Sequence, residues 1–134
     1  MREILFRGKD FSGTLSHPWI FGSLDTTEKE YPSIIYLDRF GNRCRVFVDP
    51  KTVGQYTGLT DKNGNKIFEG DILKNIENDG SGEIVDIYYG GCSFRYSYNN
   101  STYGYVVDDI EEGILTDEFE VIGNIYDNPE LLEL

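Results

Sequence analysis

The sequence predicts an all-β (mainly β) chain: a small barrel or sandwich of short antiparallel strands, closed by a short C-terminal helical turn. Three observations carry this. Short runs of apolar, β-branched and aromatic residues recur between Gly, Asn, Asp and Pro clusters. No amphipathic helix of ordinary length stands out in the periodicity. Leu, Ile, Val and Phe supply 38 of the 134 residues, enough apolar mass for a core despite a net charge of −12. The length fits a single domain, 1–134, divisible into lobes 1–55 and 56–134 with a boundary near residues 50–60.

Each element follows from local chemistry. Residues 3–7 open a strand that Gly8-Lys9-Asp10 can end, and residues 19–24 form a second with Gly22 at a bulge position. Residues 33–37 are apolar on both faces and are expected to be buried. Asp38-Arg39-Phe40-Gly41-Asn42 is turn chemistry. In the next strand Cys44, Val46 and Val48 alternate with Arg43, Arg45 and Phe47, and Asp49-Pro50 closes it because Pro lacks the ladder N–H. Residues 53–59 read as extended, and Asn63-Gly64 marks a tight hairpin turn. Asp61 to Lys66 superficially resembles a calcium loop, yet Lys66 and Ile72 stand where such a loop needs Gly and Glu. Residues 67–77, a Gly-rich turn and residues 83–89 read as the hairpin of an SH3-like barrel element in the C-terminal half, by analogy. Strands at 94–98, 103–107 and 120–126 follow. Pro129 opens the closing turn behind Asp127-Asn128. The periodicity leaves residues 108–119 open between a short helix and an acidic loop. No internal repeat is evident.

Charge is distributed unevenly. Residues 1–55 carry net +1, residues 56–95 net −3, and residues 96–134 net −10 with no Lys or Arg. An unrelieved acidic surface repels phosphate backbones, so direct nucleic-acid binding is disfavoured. It suits either a solvated face or a host or phage protein partner with a basic surface. Between Tyr88 and Tyr105 lie six Tyr and one Phe, a mixture that suits cross-strand core pairs, self-association into a homo-oligomer, or a binding surface. Tyr96, Tyr98, Tyr103, Tyr105, Asp108, Asp109, Glu111 and Glu112 therefore form the candidate interaction surface.

The catalytic inventory is thin. The one histidine, His17, sits in a loop-like Ser16-His17-Pro18-Trp19 and reads as a surface residue. Two cysteines, Cys44 and Cys92, make neither a metal motif nor a disulfide framework, so no metal and no cofactor are expected. The charged start shows no signal-peptide pattern, and no apolar run approaches a membrane span, so a cytoplasmic, membrane-free protein is expected. The balance leans away from an enzyme, and no catalytic residue is assigned. The alternative is a carboxylate-dependent hydrolase, since two acids can do acid/base work without histidine. Its candidates are Glu69 and Asp71 in a Gly-containing turn.

Several blocks resemble the YopX family of phage and prophage proteins. They are Arg2-Glu3-Ile4-Leu5-Phe6-Arg7-Gly8-Lys9, Trp19-Ile20-Phe21-Gly22-Ser23-Leu24, residues 53–64, residues 66–72 and residues 120–132. The blocks span nearly the whole chain in the family's order. The resemblance implies a small β-rich protein of phage or prophage origin, acting in the bacterial host cytoplasm, with an activity not established for the family. No catalytic residue carries over. Gln55, Tyr56, Glu69 and Asp71, which lie in these blocks, form a candidate family-motif pocket.

Overall fold

The structure, a computed structural model, describes residues 3–12, 18–28, 30–75, 84–90, 93–100, 104–109 and 118–132. It is mostly β, with antiparallel pairing throughout the registered strands. The described helical segments are short 3-10 turns at Pro50–Thr52 and Pro129–Leu132, the second where the sequence places its closing turn. The chain divides into two compact units, Met1–Tyr56 and Thr57–Leu134.

In the first unit β1 (Phe6–Lys9), β2 (Trp19–Asp25), β3 (Ser33–Leu37) and β4 (Arg43–Phe47) form an antiparallel meander. The opening residues of β5 (Gly54–Thr60) pair with β1, Gln55 opposite Phe6 and Gly54 opposite Arg7. Beyond β4 the chain returns to β1 through an Asp10↔Val48 bridge. Phe11 N–H donates to the Phe47 carbonyl at 3.0 Å and Asp49 N–H to the Lys9 carbonyl at 2.9 Å. These bonds curl the meander round a core of Ile20, Ile34 and Val48, against which Phe6, Leu24, Tyr36, Val46 and Val53 pack.

Three expectations are corrected here. Strand β1 starts at Phe6 and runs through Gly8 instead of ending there. A Cβ on Gly8 would lie 2.9 Å from Val48 Cβ, so the glycine is what lets the closing strand approach. Gly22 is not a bulge, because its pairing with Phe6 belongs to an unbroken register. Its Cβ would instead stand 2.2 Å from the Ile35 carbonyl oxygen. Strand β3 is buried at Ser33 and Ile34, but Leu37 is 69% exposed. The outer face of this sheet is therefore exposed at Leu37 and closed at Ser33.

The second unit holds the end of β5, its neighbour β6 (Lys66–Phe68), and a five-stranded sheet in the order β10-β9-β8-β7-β11. Those strands are β7 (Asp71–Asn75), β8 (Ile84–Gly90), β9 (Ser93–Asn100), β10 (Gly104–Asp109) and β11 (Phe119–Asn124). The pairing of β11 with β7 shifts register between Val121 and Gly123. Ile67 of β6 joins Leu73, Val85, Ile87 and Phe119 of the sheet in one buried cluster, with Leu59 and Val121 against it. Between β6 and β7 the chain turns at Glu69 and Gly70, where the sequence places a Gly-containing turn. Gly70 takes φ +87° there, and Asp71 Oδ2 accepts the Phe68 N–H at 2.7 Å inside the turn.

Buried Thr57 ties β5 to β6, its hydroxyl donating to the Ile67 carbonyl at 2.9 Å and accepting the Leu59 N–H at 3.2 Å. Thr57→Val keeps the shape and removes both bonds. The expected result in chemical denaturation is a loss of about 1.5 kcal/mol with an unchanged m-value.

Candidate functional site

Strand alternation sorts the first unit's side chains. Residues at Phe6, Ile20, Leu24, Ile34, Tyr36 and Val46 reach the core. Their neighbours in sequence line the opposite face. The register makes this face explicit: Lys9 stands opposite Trp19, Arg7 opposite Phe21, Ser23 opposite Ile35, and Ile35 and Leu37 opposite Arg45 and Arg43. Ser33 completes it between Asp25 and Phe47.

This face is apolar and basic at once. Phe21 is 47% exposed, Phe47 45% and Leu37 69%. The buried Arg7 guanidinium sits 4.7 Å from the Trp19 ring centroid and Lys9 Nζ 5.8 Å from it, both within cation–π range. Among the registered residues of β1 to β4 on this face, the carboxylate is Asp25, and Arg45 bridges it at 3.0 Å. The Thr27 hydroxyl, at 2.6 Å, the Thr27 N–H and Arg45 hold the Asp25 carboxyl below its ordinary pKa. Beyond Phe47 opens a cavity of about 630 Å³ lined by Thr27, Glu28, Glu30, Tyr31 and Phe47. Its Tyr31 ring packs 4.4 Å from Phe11.

Two turns share one design that the sequence reading missed. Asp38-Arg39-Phe40-Gly41-Asn42 and Asp61-Lys62-Asn63-Gly64-Asn65 both follow Asp-x-x-Gly-Asn. In each, the Asp carboxylate accepts the N–H groups two and four residues on, at 2.8 to 2.9 Å. Gly41 and Gly64 take φ +82° and +83°. Asn63-Gly64 is thus part of a five-residue turn built on Asp61. The two Asp differ in setting: Asp38 is half-buried, whereas Asp61 is buried and its Oδ2 also accepts the Val121 N–H at 2.9 Å. Desolvation works against the Asp61 charge, but the N–H donors of Val121, Asn65 and Asn63 outweigh it and hold the pKa below the ordinary value. The spacing of these Asp and Gly residues was the signal that could have revealed the shared turn.

The expected site residues fall as follows. Tyr96 and Tyr98 lie on β9, opposite the buried Ile87 and Val85 of β8. On β10, Asp108 stands opposite Tyr96, Asp109 opposite Arg95, and Tyr105 opposite Asn99. Tyr103, Glu111 and Glu112 lie outside the described residues, as do His17 and Cys92. Of the motif residues, Gln55 and Tyr56 belong to the first unit, and Tyr56 N–H donates to the Leu5 carbonyl at 2.8 Å. Glu69 and Asp71 share the β6–β7 turn in the second unit. Asp71 is 2% exposed, with its carboxylate bonded to the turn's own backbone. Among the described residues, no three His, Cys, Asp or Glu gather as a metal site would require.

Comparison with known proteins places this geometry. Residues 16–133 match the family model described as YopX protein. The chain is similar to the solved structure titled "Crystal structure of protein EF1440 from Enterococcus faecalis". The two share 25% identity with a TM-score of 0.59, covering 99% of this chain and 100% of that one. No curated protein matches the chain.

Proposed function

Starting from the chain's membership of the YopX protein family, we propose that it is a non-enzymatic protein-interaction module of phage or prophage origin. It works in the host cytoplasm and engages a host or phage protein. The observation that carries this reading is the outer face of the first unit. A strand face that keeps Phe21, Leu37 and Phe47 between 45% and 69% exposed, beside Arg43 and Arg45, has the apolar-and-charged make-up of a protein-binding surface. The acidic C-terminal third supplies a second, steering component. Asp61 and Asp71, the buried carboxylates among the second unit's described residues, are engaged by backbone N–H groups, a structural use of charge.

The test is capture from bacterial lysate by the immobilised chain at low and high salt, read by mass spectrometry, followed by binding kinetics with the recovered partner. A stoichiometric partner is expected whose association slows with salt. Neutralising Asp108, Asp109, Glu111 and Glu112 together should lower the association rate about tenfold and flatten its salt dependence. Recovery of no stoichiometric protein at either salt overturns the reading.

A further inference from the structure

The cavity beyond Phe47 has the chemistry of a cation receptor, and we infer that it takes the side chain of an arginine presented by a partner protein. The inference rests on the interaction reading above and names what that partner brings. The cavity, about 630 Å³, is lined by Thr27, Glu28, Glu30, Tyr31 and Phe47. Two carboxylates therefore stand with two aromatic rings in a volume of the order that ligand sites have. Tyr31 is 37% exposed and Phe47 45%, so both rings keep surface that a ligand can cover.

The walls are tied down through the backbone. Asp25 Oδ1 accepts the Thr27 N–H at 2.9 Å and the Thr27 hydroxyl at 2.6 Å, which fixes one side. Val48 N–H donates to the Pro32 carbonyl at 3.0 Å, and Phe11 N–H to the Phe47 carbonyl at 3.0 Å. Phe11 in turn backs the Tyr31 ring at 4.4 Å. Walls fixed before the ligand arrives lower the ordering cost of binding it. The register adds an acceptor. Ser33 stands directly opposite Phe47, so both side chains leave the same face of the sheet. Its Oγ is buried and has no hydrogen-bond partner among the described residues. An N–H entering beside Phe47 supplies one.

Charge and shape select the ligand. Among the described lining residues the charged groups are Glu28 and Glu30, with no Lys or Arg. Asp25 and Arg45, beside Ser33 and Phe47 on the sheet, are bridged to each other at 3.0 Å. Lys29 lies outside the described residues. Two carboxylates repel an anion. A hard metal ion needs a shell of oxygens that aromatic rings cannot supply, and no three metal-ligating side chains gather among the described residues. A planar guanidinium suits both halves of the cavity, since it donates to carboxylates in pairs and stacks on ring faces.

Titration of the isotope-labelled chain with N-acetyl-argininamide at constant ionic strength, read by amide NMR, tests this. Shifts should concentrate at Thr27, Glu28, Glu30, Tyr31 and Phe47 and saturate at a concentration on the order of 10 mM, as exposed ion pairs and ring contacts allow. N-acetyl-citrullinamide, similar in shape without the charge, should shift nothing there. N-acetyl-lysinamide should bind roughly threefold more weakly. Glu28→Gln with Glu30→Gln should weaken binding at least about tenfold, and Phe47→Leu about threefold. These are exposed positions, and unchanged amide signals elsewhere establish that the variants fold. Lys29→Gln should bind as well as the wild type or better, because it removes a competing cation. The double Gln variant should also lose the partner that the wild type captures from lysate.

Equal shifts from the citrulline amide overturn the inference, as does undiminished binding by the double Gln variant or weaker binding by Lys29→Gln. Calcium chloride that reproduces the shifts and competes with the arginine amide makes this a hard-cation site and overturns it as well. If lysate capture returns a partner while the arginine amide shifts nothing, the interaction-module reading stands and the cavity inference fails. If the amide binds and capture returns no protein, the cavity is a guanidinium site and the partner is lost together with the interaction reading.

Discussion

Asp61→Ala should cost the second unit about 4 kcal/mol, a loss large enough to leave little of a small domain's stability. The carboxylate accepts the N–H groups of Asn63, Asn65 and Val121 at 2.8 to 2.9 Å and the Asn65 Nδ2 at 3.3 Å, and the residue is 1% exposed. Alanine removes the acceptor those donors share inside the fold; each donor left without a partner where it is shielded costs about 1–3 kcal/mol, and the half-buried Val121 N–H loses the bond that ties β11 to the turn. Asp61→Asn separates the contributions. Its remaining carbonyl oxygen can serve the turn, but its amide meets the Val121 N–H donor to donor, so the attachment of β11 is lost while the turn persists.

Acidity should reproduce the effect. The folded pKa of Asp61 is depressed, so its stabilisation is fully present above the unfolded carboxylate value near about 3.9. It is lost as pH falls through that value and the folded pKa below it. Urea midpoints measured down the acid range should fall steeply for the wild type and less steeply for Asp61→Asn. Asp38 is the internal control: in the same turn, but half-buried and without a bond to a distant strand among its described partners, it should tolerate alanine with a much smaller change. Equal losses at the two positions would refute the assignment of Asp61 as the tie between turn and β11.

Gly22→Ala is expected to cost the first unit about 3 kcal/mol or more, by a different mechanism. The new Cβ would lie 2.2 Å from the Ile35 carbonyl oxygen and 3.0 Å from Ile34 Cγ2. The first obstacle is backbone, held in place by the β2–β3 pairing of Ser23 with Ile35 and Leu24 with Ile34. Relief requires the two strands to separate where Ile34, a fully buried core residue, is anchored. Gly41→Ala gives the contrast. Nothing lies within 4 Å of its Cβ position, so only the φ of +82° resists, a cost of about 1 kcal/mol. Thermal unfolding of the two variants should rank them in that order. A Gly22→Ala protein that melts like the parent would mean the strand crossing is far looser than drawn.

The β nature of the chain was legible because its evidence is local. Alternation in residues 43–48 correctly separated Cys44, Val46 and Val48 from Arg43, Arg45 and Phe47, and the Pro129 turn was placed by capping chemistry alone. The misreadings have one origin. Gly8 was read as a local breaker and Gly22 as a bulge, but each answers to a residue distant in sequence: Val48 and Ile35. Asp61 was weighed as a failed calcium ligand, and its link to Val121 crosses sixty positions. No window of neighbouring residues contains that pair.

The candidate surface divides the same way. By itself the sequence determined the all-β class, the family resemblance, the turn positions and the concentration of negative charge after Arg95, since composition, propensity and order are properties of the chain. It did not show that Arg7, Lys9, Arg43 and Arg45 share one face with Phe21, Leu37 and Phe47. Counting residues 1–55 as net +1 averages that face with acids at turns and loops. Only pairing in register brings residues from four strands side by side, and only the curl that returns β4 to β1 commits one face to the core and the other to solvent. The tertiary structure decided the surface because register and closure are set by contacts between strands, and those contacts choose which side of each strand water sees.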